Sequence, residues 1–191
     1  LSTAERERAT AVLDSAGSFT VCERVTTVFY ASVTAEKGGI LQTGVEVLGG
    51  LKGWEALDGG AALAAARRAA RLAVAKLSAP VARPGDFPVV LAASAGGTFV
   101  HEAIGHSLEA DHVQEGTSPA FAGKVGRRVA APSLTIVDDP TLPFARGSYP
   151  FDDEGVPARP VVLVERGVLK GYLHDRVSAL RAGAEPNGHG R

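Results

Sequence analysis

The chain has 191 residues, a net charge of −1 and a single cysteine. This length allows one or two domains with a sizeable core, and the charge gives no support for binding nucleic acid or an anionic membrane. One cysteine excludes an internal disulfide, and because no signal peptide and no apolar run of membrane-spanning length is present, the sequence predicts a cytoplasmic protein.

Residues 1–83 are predicted to form an N-terminal α+β domain, a layer made of a helix and a hairpin. The capping-box pattern of residues 2–5 predicts a helix over residues 3–14. Residues 18–34, rich in Val, Thr, Phe and Tyr, and residues 40–48 predict two strands joined by a turn. A long helix is predicted over residues 58–77. Its expected core face consists of Leu63, Ala66, Ala70, Ala73, Val74 and Leu77.

Residues 84–191 are predicted to form a second, mixed α+β domain that carries a helix over residues 98–110. A glycine-containing turn at residues 94–97 is expected to lead into that helix. A long loop is predicted over residues 138–160. The predicted strands cover residues 87–92, 134–137, 161–164 and 168–173, and a short helix over 175–182 ends at Gly183. Because the strands occur in hairpins rather than alternating with helices, the fold class is α+β.

Residues 101–106, HEAIGH, bring two histidines and a glutamate into one short span. Imidazoles bind zinc, and a neighbouring carboxylate can activate a water molecule beside the ion. His101 and His106 are five residues apart rather than the common four, so a regular α-helix would aim their rings about 140° apart. A π-bulge, with its i→i+5 repeat, brings the rings together again, and Gly105 favours such a distortion because it has no Cβ. The pattern predicts His101 and His106 as metal ligands and Glu102 as the base that accepts the water's proton.

Other polar residues near the motif are weaker candidates for metal ligands. Glu109 can share a helical face with His106 and support its ring, whereas Asp111 and His112 follow too closely to be good ligands of the same ion. Cys22 is typical of a small buried residue. Acidic residues 138–139 and 152–154 are more typical of turn caps than of a second cation site.

The remaining candidates are expected to be structural. His174 is predicted to be a cap or surface residue, and His189 to be mobile in a glycine-rich end. Gly96 and Gly97 fit either a close approach of a substrate backbone or a tight turn into the motif helix.

The motif HEAIGH followed by SLEAD resembles the catalytic segment of the TldD half of the TldD/PmbA family, whose pattern is H-E-x-x-x-H. Further segments that resemble the family, in order, are PVVLA at 88–92, EGTS at 115–118, VDD at 137–139, DDEG at 152–155 and ERGVLKGY at 165–172. The resemblance covers residues 57–191 well and the first 56 loosely.

The resemblance implies a metallopeptidase with Zn2+ as its cofactor, which cuts unfolded or short peptides beside a sister subunit that lacks the histidines. Residues 84–191 would then be the N-terminal portion of its catalytic domain. The resemblance places the third zinc ligand on a cysteine downstream of residue 191. Since the chain contains no methionine and begins at Leu1, we expect it to be a piece of a longer protein.

Two alternatives remain open. HEAIGH also fits the H-E-x-x-G-H motif of dipeptidyl peptidase III, although no Glu-Glu-x-x-Ala-Glu-like string follows and the flanking segments are predicted strands rather than helices. The other alternative belongs to a different class, a non-catalytic peptide-binding or scaffold subunit.

Overall fold

The computed structural model describes residues 1–15 and 17–191, and the chain has an α+β fold. Contacts between Cα atoms divide it into two compact units. Unit 1 contains Leu1–Thr10, Cys22–Phe87 and Pro143–Arg146. Unit 2 contains Ala11–Val21, Pro88–Leu142 and Gly147–Arg191. Within the part of the chain that is described, no helix combines the length and the apolar character needed to span a membrane.

The first sheet has the strand order β1 (Ser2–Leu13), β2 (Phe19–Lys37) and β3 (Ile40–Gly50). The hairpin predicted for β2 and β3 is confirmed: the strands are antiparallel and turn at Gly38 and Gly39, whose φ angles of 61° and 84° suit glycine. After a 3₁₀ turn (Trp54–Leu57), helix α1 (Ala61–Lys76) packs against β3. The helix and these strands enclose a small core that includes Phe29 and Ala31.

The prediction of a helix over residues 3–14 is wrong, because this segment is β1. Its capping-box glutamate, Glu5, does not cap a helix but accepts a hydrogen bond from the Thr27 hydroxyl at 3.2 Å. Thr10 and Val12 are partly buried while their neighbours are exposed, which is the two-residue alternation of a strand. Pairing with the 19-residue β2 therefore overrides a local helical signal.

The predicted core face of α1 is also partly wrong. Ala65, Ala69 and Ala73 are the fully buried residues, whereas Leu63 and Val74 are 56% and 60% exposed. The cause is Gly44 on β3. A Cβ there would overlap the Ala69 carbonyl oxygen and lie 2.7 Å from the Ala73 nitrogen. The helix backbone thus rests directly on the strand, and only small side chains fit between them.

Unit 2 contains a second antiparallel sheet with the order β4 (Ile136–Asp138), β5 (Val161–Glu165) and β6 (Val168–Leu169). The predicted β5–β6 hairpin is confirmed, with φ of 47° at Arg166 and 81° at Gly167, but its second strand ends at Leu169 rather than at residue 173. The motif segment comprises α2 (Ala93–Val100), a π-helical turn (His101–Gly105) and a 3₁₀ turn (His106–Leu108), followed by α3 (Ala110–Gln114). Its residues Ile104 and Leu108 pack on Leu163, Val164 and Leu169 of the sheet.

Two further predicted elements of unit 2 have different outcomes. Helix α4 (Arg176–Ala182) is confirmed, with Asp175 accepting from the Ser178 backbone nitrogen at its start and left-handed Gly183 at its end. The strand predicted over residues 87–92 is wrong, because this segment pairs with none of the described strands. Val90 is 97% exposed. An apolar run becomes a strand only where another strand accepts its hydrogen bonds.

Candidate metal site

The motif helix widens at the position where the histidine spacing requires it. The backbone N–H of His106 donates to the carbonyl oxygen of His101, an i→i+5 hydrogen bond. The π-helical turn that this bond closes runs over His101–Gly105, so the predicted distortion is confirmed. Ile104 within the turn is 8% exposed and anchors the opposite side of the turn in the core.

The widened turn brings both imidazoles to one side of the helix. Their ring centroids are 4.2 Å apart at an interplanar angle of 63°. One potential ligand atom each from His101, Glu102 and His106 lies within 4.8 Å of the others, and all three residues are exposed. Two nitrogens bound to one tetrahedral zinc are about 3.4 Å apart, given zinc–nitrogen bonds of about 2.1 Å. Imidazoles this close fit the donor set that zinc uses.

Gly105 has a more specific role than general flexibility. Its φ and ψ of −56° and −61° are ordinary helical values, so the backbone itself does not require glycine. A Cβ at this position would instead lie 3.0 Å from Nδ1 and 3.4 Å from Cγ of His101. The His101 ring therefore lies against the bare Cα of Gly105, and the missing side chain leaves room for the imidazole.

Glu109 orients the second imidazole. Its Oε1 is 2.9 Å from Nδ1 of His106, so the support predicted for this ring is present. A carboxylate only accepts hydrogen bonds, so Nδ1 carries the hydrogen and Nε2 keeps the lone pair that binds a metal. Glu109 is held by its own backbone: it is extended, with ψ of 123°, and forms a bridge with Leu173 where the helix breaks.

Glu109 also contributes to a second group of possible ligands, together with Asp111 and His112. Nε2 of His112 is 3.8 Å from Oε2 of Glu109. This group includes neither His101 nor His106. The break at Glu109 places Asp111 and His112 on α3, apart from the π-helical turn.

A cavity of about 320 Å³ lies between the motif helix and β4. Half of its lining residues are aliphatic, and the helix side adds glycines: Gly96, Gly97, Val100, His101, Ile104, Gly105, Leu134, Thr135, Ile136, Val137, Asp138 and Leu163. The Thr135 hydroxyl already accepts a hydrogen bond from the Arg166 nitrogen. On the sheet side, β4 pairs with β5 alone among the described strands, so its other backbone edge is unpaired within the sheet.

Gly96 and Gly97 do not form the turn predicted for them but lie inside α2. A Cβ at either position would meet no atom within 4 Å. They line the cavity on its helical side, so the close approach of a substrate backbone at this point stays a prediction.

Two of the acidic residues predicted to be structural, Asp139 and Asp152, accept hydrogen bonds that hold loop backbone in place. Asp152 is 1% exposed and accepts from the backbone nitrogens of Glu154, Val156 and Gly190. Hydrogen bonds from the Thr141 hydroxyl and backbone lower the pKa of Asp139. Cys22 lies on β2 as a free, partly buried thiol, in neither group of potential ligands found among the described residues.

The two remaining histidines differ from each other. His174 contacts the first turn of α4 through Ser178, at 3.2 Å, and burial lowers its pKa. The expectation that His189 is mobile is wrong: its side chain is 5% exposed and bonds Asp138 at 2.9 Å. The glycine-rich sequence around His189 gave no sign that the residue is ordered, because its partner lies 51 positions earlier in the chain.

Comparisons with known proteins cover most of the chain and point to one family. Residues 2–77 match the family model described as the PmbA/TldA metallopeptidase central domain, and residues 84–191 match that family's C-terminal domain. A metalloprotease of Methanocaldococcus jannaschii is 42% identical over 167 residues, covering 86% of this chain and 36% of the relative. A zinc metalloprotease TldD homolog of Saccharolobus solfataricus is 36% identical over 117 residues, covering 61% of this chain and 26% of the relative.

Among solved structures, a Thermotoga maritima protein described as a proposed modulator of a DNA gyrase superposes with a TM-score of 0.80. It is 28% identical, and the match covers 92% of this chain and 40% of that one. The chain therefore spans well under half the length of the relatives that it matches.

Proposed function

Because this chain belongs to the PmbA/TldD metallopeptidase family, we propose that residues 101–106 form the zinc-binding and proton-transfer part of a peptidase active site. The observation that carries this proposal is the i→i+5 hydrogen bond from His106 to His101. Because of this bond, two imidazoles five residues apart lie on the same face of the helix. The name of the Saccharolobus solfataricus relative supports zinc as the ion.

Four polar residues divide three tasks in this proposal: binding the metal, orienting a ligand ring and moving a proton. His101 and His106 each give one ring nitrogen to zinc, and Glu109 keeps the tautomer of His106 suited to that bond. A zinc ion held there would supply Lewis acidity, which would make a neighbouring water molecule easier to deprotonate. A carboxylate oxygen of Glu102 would accept the proton of the attacking water and deliver it to the leaving nitrogen.

Two imidazoles alone leave the site incomplete, since catalytic zinc sites usually have three protein ligands and an open position. The resemblance to the family places the third ligand on a cysteine downstream of residue 191, and we propose that such a cysteine completes the site in the longer protein. We also propose a partner, either a sister subunit of the same family or a second copy, that encloses the site.

The cavity beside the motif favours an extended peptide as substrate. The unpaired edge of β4 offers backbone hydrogen bonds, which attract a peptide without regard to its side chains. The aliphatic lining between Val100, Leu134 and Ile136 accommodates an apolar side chain of that peptide. Unfolded or short peptides present both features, whereas a folded protein has already paired its backbone.

The test uses the full-length protein with its partner and compares Glu102→Gln with a control, Glu115→Gln, at the exposed residue that follows α3. Zinc content is measured by atomic absorption, and peptide hydrolysis by mass spectrometry of the products. We expect stoichiometric zinc in both variants and a loss of hydrolysis of about 100-fold or more in Glu102→Gln alone.

Other outcomes separate the alternatives. Unchanged hydrolysis in Glu102→Gln would contradict the role of this carboxylate. Bound peptide without hydrolysis in the unmodified protein would indicate a scaffold, and release of dipeptides only would indicate a dipeptidyl peptidase. Zinc retained after His101→Ala and His106→Ala together would place the ion elsewhere.

A further inference from the structure

A buried histidine holds the carboxylate at the end of β4. Nε2 of His189 is 2.9 Å from Oδ1 of Asp138, and Nδ1 of His189 is 3.0 Å from the Asn187 carbonyl oxygen. The His189 side chain is 5% exposed, whereas that of Asp138 is 45% exposed. The pair therefore joins a buried ring to a carboxylate that solvent can reach.

The hydrogen bonds define the orientation of the ring. A carboxylate only accepts hydrogen bonds, so Nε2 of His189 donates to Asp138, and the Asn187 carbonyl oxygen beside Nδ1 holds the other edge of the ring in place. The resulting charge-assisted bond fixes Oδ1 of Asp138 more firmly than a neutral hydrogen bond would.

The segment that carries His189 is itself anchored on both sides. The Tyr149 hydroxyl donates to the Gly188 carbonyl at 3.0 Å, and the Gly190 nitrogen donates to buried Asp152 at 2.9 Å. The Asn187 side chain donates to the Tyr172 carbonyl at 2.9 Å. His189 is thus a rigid support rather than a loose side chain that happens to contact Asp138.

Asp138 belongs to the lining of the cavity that contains His101. Its Oδ1 is occupied by His189, and no hydrogen bond of its Oδ2 is found among residues 1–15 and 17–191. A half-exposed carboxylate oxygen without a donor, at the end of an edge strand, is suited to accept an N–H group from a ligand on that edge.

We propose that Asp138 is a substrate-binding residue, whose free oxygen accepts a hydrogen bond from an N–H group of the peptide, and that His189 is the positioning residue that orients it. This inference rests on the peptidase function proposed above. The N–H group belongs either to a backbone amide of the peptide or to its terminal ammonium, and the experiment distinguishes these two sources.

The experiment uses the full-length protein and measures KM and kcat for one peptide with a free N-terminus and for its N-acetylated form. In Asp138→Asn we expect KM to rise about tenfold or more, as when a charged hydrogen bond is lost, with kcat changed less than about twofold. His189→Leu is expected to raise KM in the same direction, and His189→Gln, which keeps an amide donor, to restore part of it. Peptide binding to these variants in the inactive Glu102→Gln background, followed by fluorescence anisotropy, should weaken in the same order.

Matched controls separate this role from general damage to the fold. Asp139→Asn removes the adjacent carboxylate, which bonds Thr141 and does not line the cavity, and His174→Gln removes another partly buried imidazole. Both are expected to leave KM unchanged. Melting temperature and zinc content are measured for every variant. Should the buried-site variant His189→Leu fail to fold, Asp138→Asn at the half-exposed position still decides the question.

The results divide clearly. If the effect of Asp138→Asn is lost with the acetylated peptide, the donor is the terminal ammonium; an equal effect on both peptides identifies a backbone amide. An unchanged KM and an unchanged dissociation constant in Asp138→Asn would overturn the inference. If no peptide is hydrolysed by the unmodified zinc-loaded protein, the proposed function fails, whereas the anisotropy measurement still tests Asp138 as a binding residue.

Discussion

Replacing Gly105 by alanine should separate metal affinity from fold stability. The added Cβ would lie 3.0 Å from Nδ1 of His101, whereas ordinary contacts begin near 3.4 Å, so the ring must move by about 0.4 Å. That is about twice the 0.2 Å within which ligand distances in zinc sites fall. We expect zinc affinity to drop about tenfold or more, comparable to the loss of a residue that orients a ligand.

The stability of the zinc-free fold should stay the same or rise in this variant. The backbone angles of Gly105 are helical, and alanine in a helix is more stable than glycine by about 0.5–1 kcal/mol. The zinc-free variant should therefore melt at the same temperature as the unmodified protein or above it. Gly96→Ala is the matched control, because it lies in the same helical segment and its Cβ would meet no atom within 4 Å.

Zinc affinity is measured by competition with a chromogenic chelator, and stability by calorimetry after the metal is removed. We expect Gly96→Ala to keep its zinc affinity and Gly105→Ala to lose it. Equal zinc affinity in Gly105→Ala and the unmodified protein would refute the packing of His101 on Gly105. A parallel loss in Gly96→Ala would show that the effect is not specific to the ring.

Three further predictions concern stability. Gly44→Ala should lower the free energy of unfolding by about 3 kcal/mol in urea titrations, since its Cβ overlaps the backbone of α1 at Ala69; a loss below about 1 kcal/mol would contradict that close approach. Burial lowers the pKa of His174 from 6.5, so its contribution to the free energy of unfolding is present above about pH 6.5 and is lost as pH falls through the folded-state pKa. His174→Gln should therefore flatten that part of a pH–stability profile, and an unaltered profile would argue against this role of His174. Asp175→Ala should cost about 1 kcal/mol by removing the cap on the Ser178 nitrogen, while Asp175→Asn retains most of it; equal losses in thermal melts would count against the cap.

The features that could be predicted from sequence depend on neighbouring residues. The widened turn follows from five-residue spacing next to Gly105, and the end of α4 from Gly183. The hairpins also arise from local turns, at Gly38–Gly39 and at Arg166–Gly167.

The features that prediction missed depend on partners far along the chain. β1 becomes a strand because β2 pairs with it, and the buried face of α1 is chosen by Gly44 on β3. His189 becomes ordered through Asp138, and residues 87–92 lack a partner among the described strands. No local pattern contains these contacts, because each depends on which surfaces the finished fold brings together.

The π-helical turn holds one residue more than an α-helical turn, yet the residues after it remain packed on the core. Removing one residue from this turn would let it close as a regular α-helix, in which the two histidines stand at the common four-residue spacing on one face. Leu108, which is 0% exposed, would then stay against Leu163 and Val164. The same deletion within α2 has no widened turn to absorb it and would rotate everything that follows by about 100°.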